Sequence, residues 1–133
     1  MILVDTNVIL DLLTGDPVWS GWSQRELELA AARDQITIND IVYAELSVGF
    51  PSIEQLDSAL TIAGLVMAAI PRAALFLAGK TFQRYRRAGG TRTGVLADFL
   101  LGAHAAIEDA PLITRDTARY RTYFPGIALI TPD

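Results

Sequence analysis

Four acidic side chains stand where acidic side chains are unusual, and together they could support metal-ion chemistry. Glu45 and Asp98 lie among apolar neighbours in predicted helices, whereas Asp5 and Asp116 each closely follow a short apolar run. Burying an ionised carboxylate is costly unless it is paired with a cation or bound to a metal. For any single acid, a salt bridge to one of the arginines is the simpler explanation. Four acids in such positions together favour a divalent metal site.

The available ligands indicate which ion such a site would hold. Two carboxylates about 4 Å apart repel by about 4 kcal/mol at an effective dielectric constant of 20, so converging acids need a cation. The chain has no cysteine, and its single histidine, His104, is expected to be structural or on the surface. Mg²⁺ or Mn²⁺ is therefore favoured over Zn²⁺, because all the candidate ligands are oxygen atoms.

The position of Asp5 depends on the strand before it. Residues 2–4 are short, wholly apolar and rich in branched side chains, which predicts a strand buried on both faces. Asp5 then lies at the carboxyl end of that strand, where open α/β sheets bind their ligands. Asp116 follows a second predicted strand, so the two acids should approach each other at one sheet edge. The alternative is that Asp5 only caps the following helix, and the sequence leaves both open.

Strand-like and helix-like segments alternate along the chain. Short strands are predicted at residues 2–4, 35–38, 111–114 and 127–130, and helices at 8–13, 19–33, 41–48, 53–63, 71–87 and 95–107. Residues 65–70 suit either a strand or a helix end, and residues 117–123 either a short helix or a turn. This alternation indicates βαβ units. We therefore expect a single α/β domain over residues 1–133, with a short central parallel sheet flanked by helices.

Composition excludes several other classes of protein. A chain of 133 residues is long enough for a hydrophobic core, and the absence of cysteine excludes a disulfide scaffold and a cysteine nucleophile. No apolar run reaches the roughly 18 residues that a membrane span needs. No charged segment precedes the apolar N-terminus, as it would in a signal peptide. The expected location is the cytoplasm, with no membrane association.

Charge is distributed unevenly although the net charge is only −4. Residues 1–57 hold ten acids and two arginines, a balance of −8, whereas residues 58–97 hold six basic residues and no acid. Such a basic segment could bind a polyanion locally, and the alternative is a solvated helix face. The candidates for phosphate binding are Arg84, Arg86, Arg87 and Arg92.

Four motifs, taken in order, resemble those of the PIN domain over nearly the whole chain. They are Val4-Asp5-Thr6-Asn7, Tyr43-Ala44-Glu45-Leu46, Leu96-Ala97-Asp98-Phe99-Leu100-Leu101 and Leu112-Ile113-Thr114-Arg115-Asp116. The size of the chain and its closing segment, residues 120–126, look like the VapC ribonuclease toxins of type II toxin–antitoxin pairs. A lone Asp-Thr-Asn is weak evidence, but four acids in order, each in its own motif, are strong evidence.

The resemblance implies a PIN-like fold and a metal-dependent endoribonuclease. Asp5 and Asp98 would be the principal metal ligands, and Glu45 and Asp116 would complete the acidic cluster directly or through water. Thr6 and Asn7 would hold Asp5 and a water molecule. The expected reaction is in-line attack of water on an RNA phosphodiester, leaving 5′-phosphate and 3′-hydroxyl ends.

The family also implies partners and one departure. The implied partners are an antitoxin that blocks the acidic groove and a second copy of the chain. Trp19 and Trp22 are candidates for the dimer contact or for core anchors. Some relatives carry a further acid just after the last motif, whereas Thr117, Ala118 and Arg119 follow here, which puts a two-metal site in doubt.

Two other functions compete with this prediction. A receiver-like signalling domain also places an aspartate at a strand end, but it needs an acidic pair near the first strand and a lysine late in the sheet. The only lysine here, Lys80, lies in a predicted helix. A PIN-fold module that binds RNA or protein without catalysis keeps the fold, and the presence of all four acids argues against it.

Overall fold

The structure is a computed structural model that describes residues 1–132, which form five strands and seven helices. The strands are β1 (Ile2–Val4), β2 (Ile36–Ile38), β3 (Val66–Met67), β4 (Leu112–Ile113) and β5 (Leu129–Ile130). The helices are α1 (Thr6–Thr14), α2 (Ser20–Arg33), α3 (Asp40–Ser47), α4 (Ile53–Ala63), α5 (Arg72–Arg87), α6 (Val95–Glu108) and α7 (Ala118–Tyr123). The arrangement is the predicted α/β/α fold.

All five strands belong to one parallel sheet in the order β3-β2-β1-β4-β5. The central strand is β1, in which Leu3 pairs with Thr37 of β2 on one side and with Leu112 of β4 on the other. Its three side chains are at most 2% exposed, because helices cover both faces of a parallel sheet. The prediction of a strand buried on both faces is confirmed.

Residues 65–70, which the sequence left undecided, contain the two-residue strand β3 at the edge of the sheet. Val66 and Met67 are exposed, as suits a short edge strand that pairs on one side only. Residues 117–123 resolve into the short helix α7. None of the helices within residues 1–132 is both long and apolar enough to cross a membrane.

Three polar residues follow the carboxyl ends of the three central strands, and all three are buried. Asp5 follows β1, Asn39 follows β2 and Thr114 follows β4. Asp5 is the N-cap of α1, and Asn39 caps α3 by accepting hydrogen bonds from the amides of Ile41 and Val42. Both explanations of Asp5 therefore hold, because it caps a helix and also lies at the sheet edge.

Helices α6 and α7 pack closely enough to fix the residues on their facing sides. The ring of Phe124 lies against Gly102, where a Cβ atom would come within 2.5 Å of the ring carbon Cδ2. Phe99 contacts the rings of Tyr123 and Phe124 at centroid distances of 4.9 and 6.1 Å. Glycine at position 102 thus allows the approach that places Asp98 opposite α7.

His104, for which the sequence left two explanations, is in the core. It is 1% exposed, and its Nδ1 atom lies 3.3 Å from Nδ2 of Asn39, which connects α6 to the start of α3. Burial lowers the pKa of His104 below its ordinary value. The neutral ring therefore has a structural role.

Candidate functional site

Asp5 is the most enclosed acid of the four, with 8% of its surface exposed. Its Oδ1 atom accepts a hydrogen bond of 2.7 Å from the amide of Thr6. Its Oδ2 atom accepts from the hydroxyls of Thr114 at 2.8 Å and Tyr120 at 3.2 Å. These three donors come from β1–α1, β4 and α7, so segments far apart in the chain fix the orientation of one carboxylate.

The charge on Asp5 is opposed by its surroundings. The pKa of Asp5 is raised from an ordinary value of 3.8 to about 6, mainly by burial and to a smaller extent by the nearby Asp98 carboxylate. The hydrogen bonds from Thr114, Thr6 and Tyr120 lower this pKa, but by less than burial raises it. Because these donors are neutral, they orient the carboxylate without neutralising it, and the site favours a proton or another cation there.

Asp98, on the first turn of α6, is half-buried and pairs with Arg119 of α7 through the Oδ2 and Nη1 atoms. Burial raises the pKa of Asp98, Arg119 lowers it, and the carboxylates of Asp116 and Glu45 raise it again. Asp98 therefore feels the charge of both of these acids, while its own charge raises the pKa of Asp5. It lies at the electrostatic centre of the four predicted site residues.

Glu45 does not interrupt a buried stripe, as the apolar neighbours in the sequence had suggested. It lies on the exposed side of the short helix α3, and Val48 one turn later is 89% exposed. The helix buries Val42 and Leu46 instead, which places Glu45 at the rim of the site. Its Oε1 atom accepts a hydrogen bond of 2.7 Å from the hydroxyl of Thr6. Glu45 therefore approaches the other three acids from the solvent-exposed side.

Asp116 is exposed and lies in the loop between β4 and α7. Its amide donates to the hydroxyl oxygen of Thr114 at 3.0 Å, and that hydroxyl in turn contacts Oδ2 of Asp5. The side chain that touches Asp5 at this edge is thus Thr114, two residues before the predicted one. Asp116 lies close enough to Asp98 for its negative charge to raise the pKa of Asp98.

Comparison with known proteins defines the family. The model of the family described as PIN domain matches residues 2–125. The chain belongs to the PIN domain family. No curated protein matches it significantly.

Several solved structures share this PIN fold. A chain from the structure of VapBC2 from Rickettsia felis bound to a DNA fragment from their promoter is 27% identical, with a TM-score of 0.76 and 100% of both chains covered. A chain of a toxin–antitoxin complex from Klebsiella pneumoniae is 24% identical, with a TM-score of 0.68 over 100% of this chain and 98% of that one. A chain of VapBC-1 from nontypeable Haemophilus influenzae is 20% identical, with a TM-score of 0.71 over 98% of each chain.

Tyr120 is a residue of this PIN domain that sequence reasoning missed. It is 1% exposed, and its hydroxyl contacts Asp5. Burial, followed by the charges of Asp5 and Asp98, raises the pKa of Tyr120 well above its ordinary value, so it remains a hydrogen-bond donor. Its position one residue after Arg119 means that α7 contacts two acids with successive side chains. The one sequence clue was an aromatic residue in the closing segment.

Thr6 and Asn7, which were predicted to hold Asp5 and a water molecule, also make hydrogen bonds that the sequence did not specify. The hydroxyl of Thr6 bonds to Glu45, and only its amide bonds to Asp5. The Oδ1 atom of Asn7 accepts from the amide of Arg115 at 3.3 Å, so Asn7 holds the loop after β4. Both residues still connect β1–α1 to the neighbouring acid-bearing elements of the PIN domain.

A fifth acid, Asp11, is buried in the same region and was missed by sequence reasoning. It is 3% exposed, and both of its oxygens bond to the guanidinium of Arg115, at 2.7 and 3.0 Å. The hydroxyl of Ser23 donates to the same carboxylate at 2.8 Å, and the ring of Trp19 lies 5.0 Å from the guanidinium carbon. Its place within the apolar run of residues 8–13 was a clue of the kind that had drawn attention to Asp98.

The four arginines predicted to bind phosphate are all exposed. Arg84, Arg86 and Arg87 lie in the last turn of α5, and the amide of Arg92 donates to the hydroxyl of Tyr85 at 3.1 Å. The guanidinium carbon of Arg84 lies 5.9 Å from the ring centroid of Tyr123, which is on α7. The basic segment therefore adjoins the C-terminal end of the helix whose earlier residues contact Asp5 and Asp98.

The two predicted dimer-contact residues are half-buried at the start of α2. The rings of Trp19 and Trp22 meet edge to face at a centroid distance of 6.5 Å. Trp22 packs against the core, and Trp19 contacts Arg115. Both are thus core anchors in part, and a role in dimer formation remains a prediction.

The structure brings the four predicted acids near one another without closing them into a set of ligands. Within residues 1–132, no three side chains of histidine, aspartate or glutamate are arranged so that they could hold a single ion. The acids are instead linked in pairs through Asp98 and through the hydroxyl of Thr6. Asp5 and Asp98 form the inner pair of this PIN domain, and Glu45 and Asp116 lie at its exposed rim.

Proposed function

We propose that this PIN domain is an Mg²⁺- or Mn²⁺-dependent endoribonuclease that acts as the toxin of a type II toxin–antitoxin pair. The observation that carries the proposal is the state of Asp5. It is buried beside Asp98, its pKa is raised to about 6 by burial, and the hydrogen bonds it accepts come from neutral groups. A buried carboxylate of this kind is stabilised by an added cation.

The donor set fits a hard divalent ion, because its candidates are carboxylate and hydroxyl oxygens. Asp5 and Asp98 would hold the ion. Glu45 and Asp116 fit contact through water better than direct ligation, because they lie at the rim. A bound divalent ion would supply charge neutralisation at the phosphate and a water of lowered pKa.

The chain's own residues would perform the other tasks. The hydroxyls of Thr114 and Tyr120 both donate to Oδ2 of Asp5, and these two hydrogen bonds fix the orientation of the carboxylate. The guanidinium groups of Arg84, Arg86, Arg87 and Arg92 would bind the phosphates that flank the scissile bond. Because these groups are exposed and Arg84 lies against Tyr123 of α7, a single RNA strand could contact this basic segment and the four acids together.

The biological setting of the proposal is supported by the structural likeness. A chain of VapBC2 from Rickettsia felis matches over its whole length with 27% identity. We infer a protein antitoxin as partner, a homodimer as the assembly, and action in the cytoplasm as one domain over residues 1–133. RNA is the proposed substrate, and cleavage would leave 5′-phosphate and 3′-hydroxyl ends.

The test is cleavage of RNA by purified Asp5→Asn protein in the presence of Mg²⁺ or Mn²⁺. We expect activity to fall about 10³-fold, which corresponds to about 4 kcal/mol of transition-state stabilisation. The matched control is Asp109→Asn, which makes the same substitution at an exposed residue before β4, at the opposite edge of the sheet. Asn also tolerates the left-handed backbone of Asp109, φ 50°.

The alternative function is a PIN-fold module that binds RNA or protein without cleaving it. It predicts that neither the wild-type nor the Asp5→Asn protein cleaves RNA, and that Mn²⁺ does not raise the melting temperature of either protein. Undiminished cleavage by Asp5→Asn would exclude the proposed catalytic role of Asp5.

A further inference from the structure

Arg119 is the cation that contacts Asp98, one of the inner pair of acids. Its Nη1 atom pairs with Oδ2 of Asp98, and the next residue, Tyr120, bonds to Asp5. Two successive residues of α7 therefore contact the two acids, one with a charged group and the other with a neutral one. The contact joins positions 21 apart in the chain, so the packing of α6 on α7 creates it.

The Arg119–Asp98 pair lies beside a close contact between α6 and the end of α7. The turn of α6 that carries Asp98 is followed by Gly102, which accepts the ring of Phe124 at the end of α7. The side chains of Arg119 and Asp98 are 25% and 30% exposed, so the pair is partly shielded from water. Shielding strengthens the attraction between the two charges.

The other arginine of this region is committed elsewhere. Arg115 forms two hydrogen bonds with Asp11, which is nearly inaccessible. It therefore cannot replace Arg119 at Asp98 without leaving a buried carboxylate unpaired. Arg119, in contrast, pairs through one nitrogen and one oxygen atom, and its partly exposed side chain has solvent into which it can withdraw.

We propose that Arg119 is a built-in counter-ion of the acidic group, which competes with divalent ions for Asp98 and so sets their affinity. The inference rests on the proposed function, because it assumes that Asp5 and Asp98 hold the ion. A divalent ion and a guanidinium repel each other, so binding of the ion weakens the Arg119–Asp98 pair. The proposal predicts that removing the arginine charge strengthens ion binding, a gain that damage to the fold would not produce.

The first experiment measures Mn²⁺ binding without RNA, by calorimetry or electron paramagnetic resonance. We expect Arg119→Gln to bind Mn²⁺ about 10-fold more tightly than wild type, a factor that corresponds to about 1.4 kcal/mol. Arg119→Lys keeps the charge and should stay close to wild type. Arg25→Gln removes a charge from an exposed position on α2 and should have no effect.

A second measurement uses the wild-type chain, so that it does not depend on the stability of a variant. Titration with Mg²⁺ should shift the NMR signal of the Arg119 Nε–H group as the pair with Asp98 opens. The Arg115 Nε–H group is an internal control, because its partner Asp11 is not one of the proposed ligands. Saturating Mg²⁺ that moves neither signal would overturn the proposal.

The outcomes separate this inference from the proposed function. If wild type binds Mn²⁺ and Arg119→Gln binds it equally or more weakly, Arg119 only supports Asp98, and the inference is wrong while the proposed metal site stands. If neither protein binds Mn²⁺, both the inference and the metal dependence are wrong. Tighter binding by Arg119→Gln, with Arg119→Lys unchanged, would support the inference.

Discussion

Asp5 and Asp11 are two buried aspartates on the same turn-and-helix segment, yet their charges are treated in opposite ways. Asp11 is 3% exposed and accepts two hydrogen bonds from the guanidinium of Arg115 and one from the hydroxyl of Ser23. The guanidinium neutralises its charge. Asp5 is 8% exposed, and its hydrogen-bond donors are two hydroxyls and an amide. One carboxylate is neutralised within the chain, and the other is only oriented.

The difference separates a structural acid from a candidate functional one more clearly than burial does. Burial alone would select both residues, and the resemblance to a family motif selects Asp5. The presence or absence of a neighbouring cation distinguishes the two residues, because Arg115 neutralises Asp11 and only neutral groups donate to Asp5. A fold that needed Asp5 only as a helix cap would not have to enclose it beside Asp98. An uncompensated buried carboxylate weakens the fold, which indicates that it is kept for another purpose.

The largest effect on stability should follow from Asp11→Asn. This change leaves the guanidinium of Arg115 partly buried without its carboxylate, and we expect a loss of about 3 kcal/mol in the free energy of unfolding. Urea unfolding measures it. Asp34→Asn is the matched control, because Asp34 pairs with the N-terminal amine at an exposed position, 54% for the Asp34 side chain, and such pairs contribute little. An Asp11→Asn protein as stable as wild type would remove the contrast between the two aspartates.

The opposite sign is expected for Asp5→Asn. At pH 7, keeping Asp5 ionised despite a pKa of about 6 costs about 3 kcal/mol relative to an ordinary aspartate. Asparagine removes that cost but weakens a hydrogen bond by about 1 kcal/mol, so the variant should gain about 2 kcal/mol in unfolding experiments with EDTA. The gain would accompany the loss of cleavage. A variant that is less stable than wild type would show that Asp5 is primarily a structural cap.

The smallest difference between the two proteins is expected at acidic pH. Because the folded-state pKa of Asp5 is raised above 3.8, its protonated form stabilises the fold, and this contribution is lost as the pH rises from about 4 through about 6. The cost of ionising Asp5 falls to about 0.5 kcal/mol at pH 4, which is less than the hydrogen-bond loss, so the advantage of Asp5→Asn should disappear or reverse slightly there. Unfolding both proteins at several pH values tests this, since titrating groups that do not interact with Asp5, such as His104, cancel in the difference. A constant difference would refute the raised pKa.

The elements that carry the acids could be predicted from local patterns. Apolar runs of the right length gave β1 and β4, and alternation with helices gave a parallel sheet, so the placement of Asp5 at a strand end followed from short-range information. The helix that carries Glu45 was also predicted, but the side of this helix on which Glu45 lies was not. Helical spacing relates Glu45 to both apolar and exposed neighbours, and only the packing of a short helix shows that Val48 faces solvent.

The contacts between elements could not be predicted, because periodicity assigns faces and not partners. Thr114 and Tyr120 lie more than 100 residues from Asp5, and nothing in their own segments indicates which acid they contact. The pairing of Arg115 with Asp11 and of Arg119 with Asp98 is equally open in the sequence, since an exchange would satisfy the same charges. The structure shows which pairs form.

The central place of β1 has a consequence for the newly made chain. Strand β1 takes its β4 neighbour from residues 112–113, so the sheet cannot be completed until translation has passed these residues. A nascent chain that stops short of residue 114 still has Asp5 but lacks both hydroxyls that orient it. The orientation that Asp5 has in the folded chain is therefore reached only after residue 120 has been added.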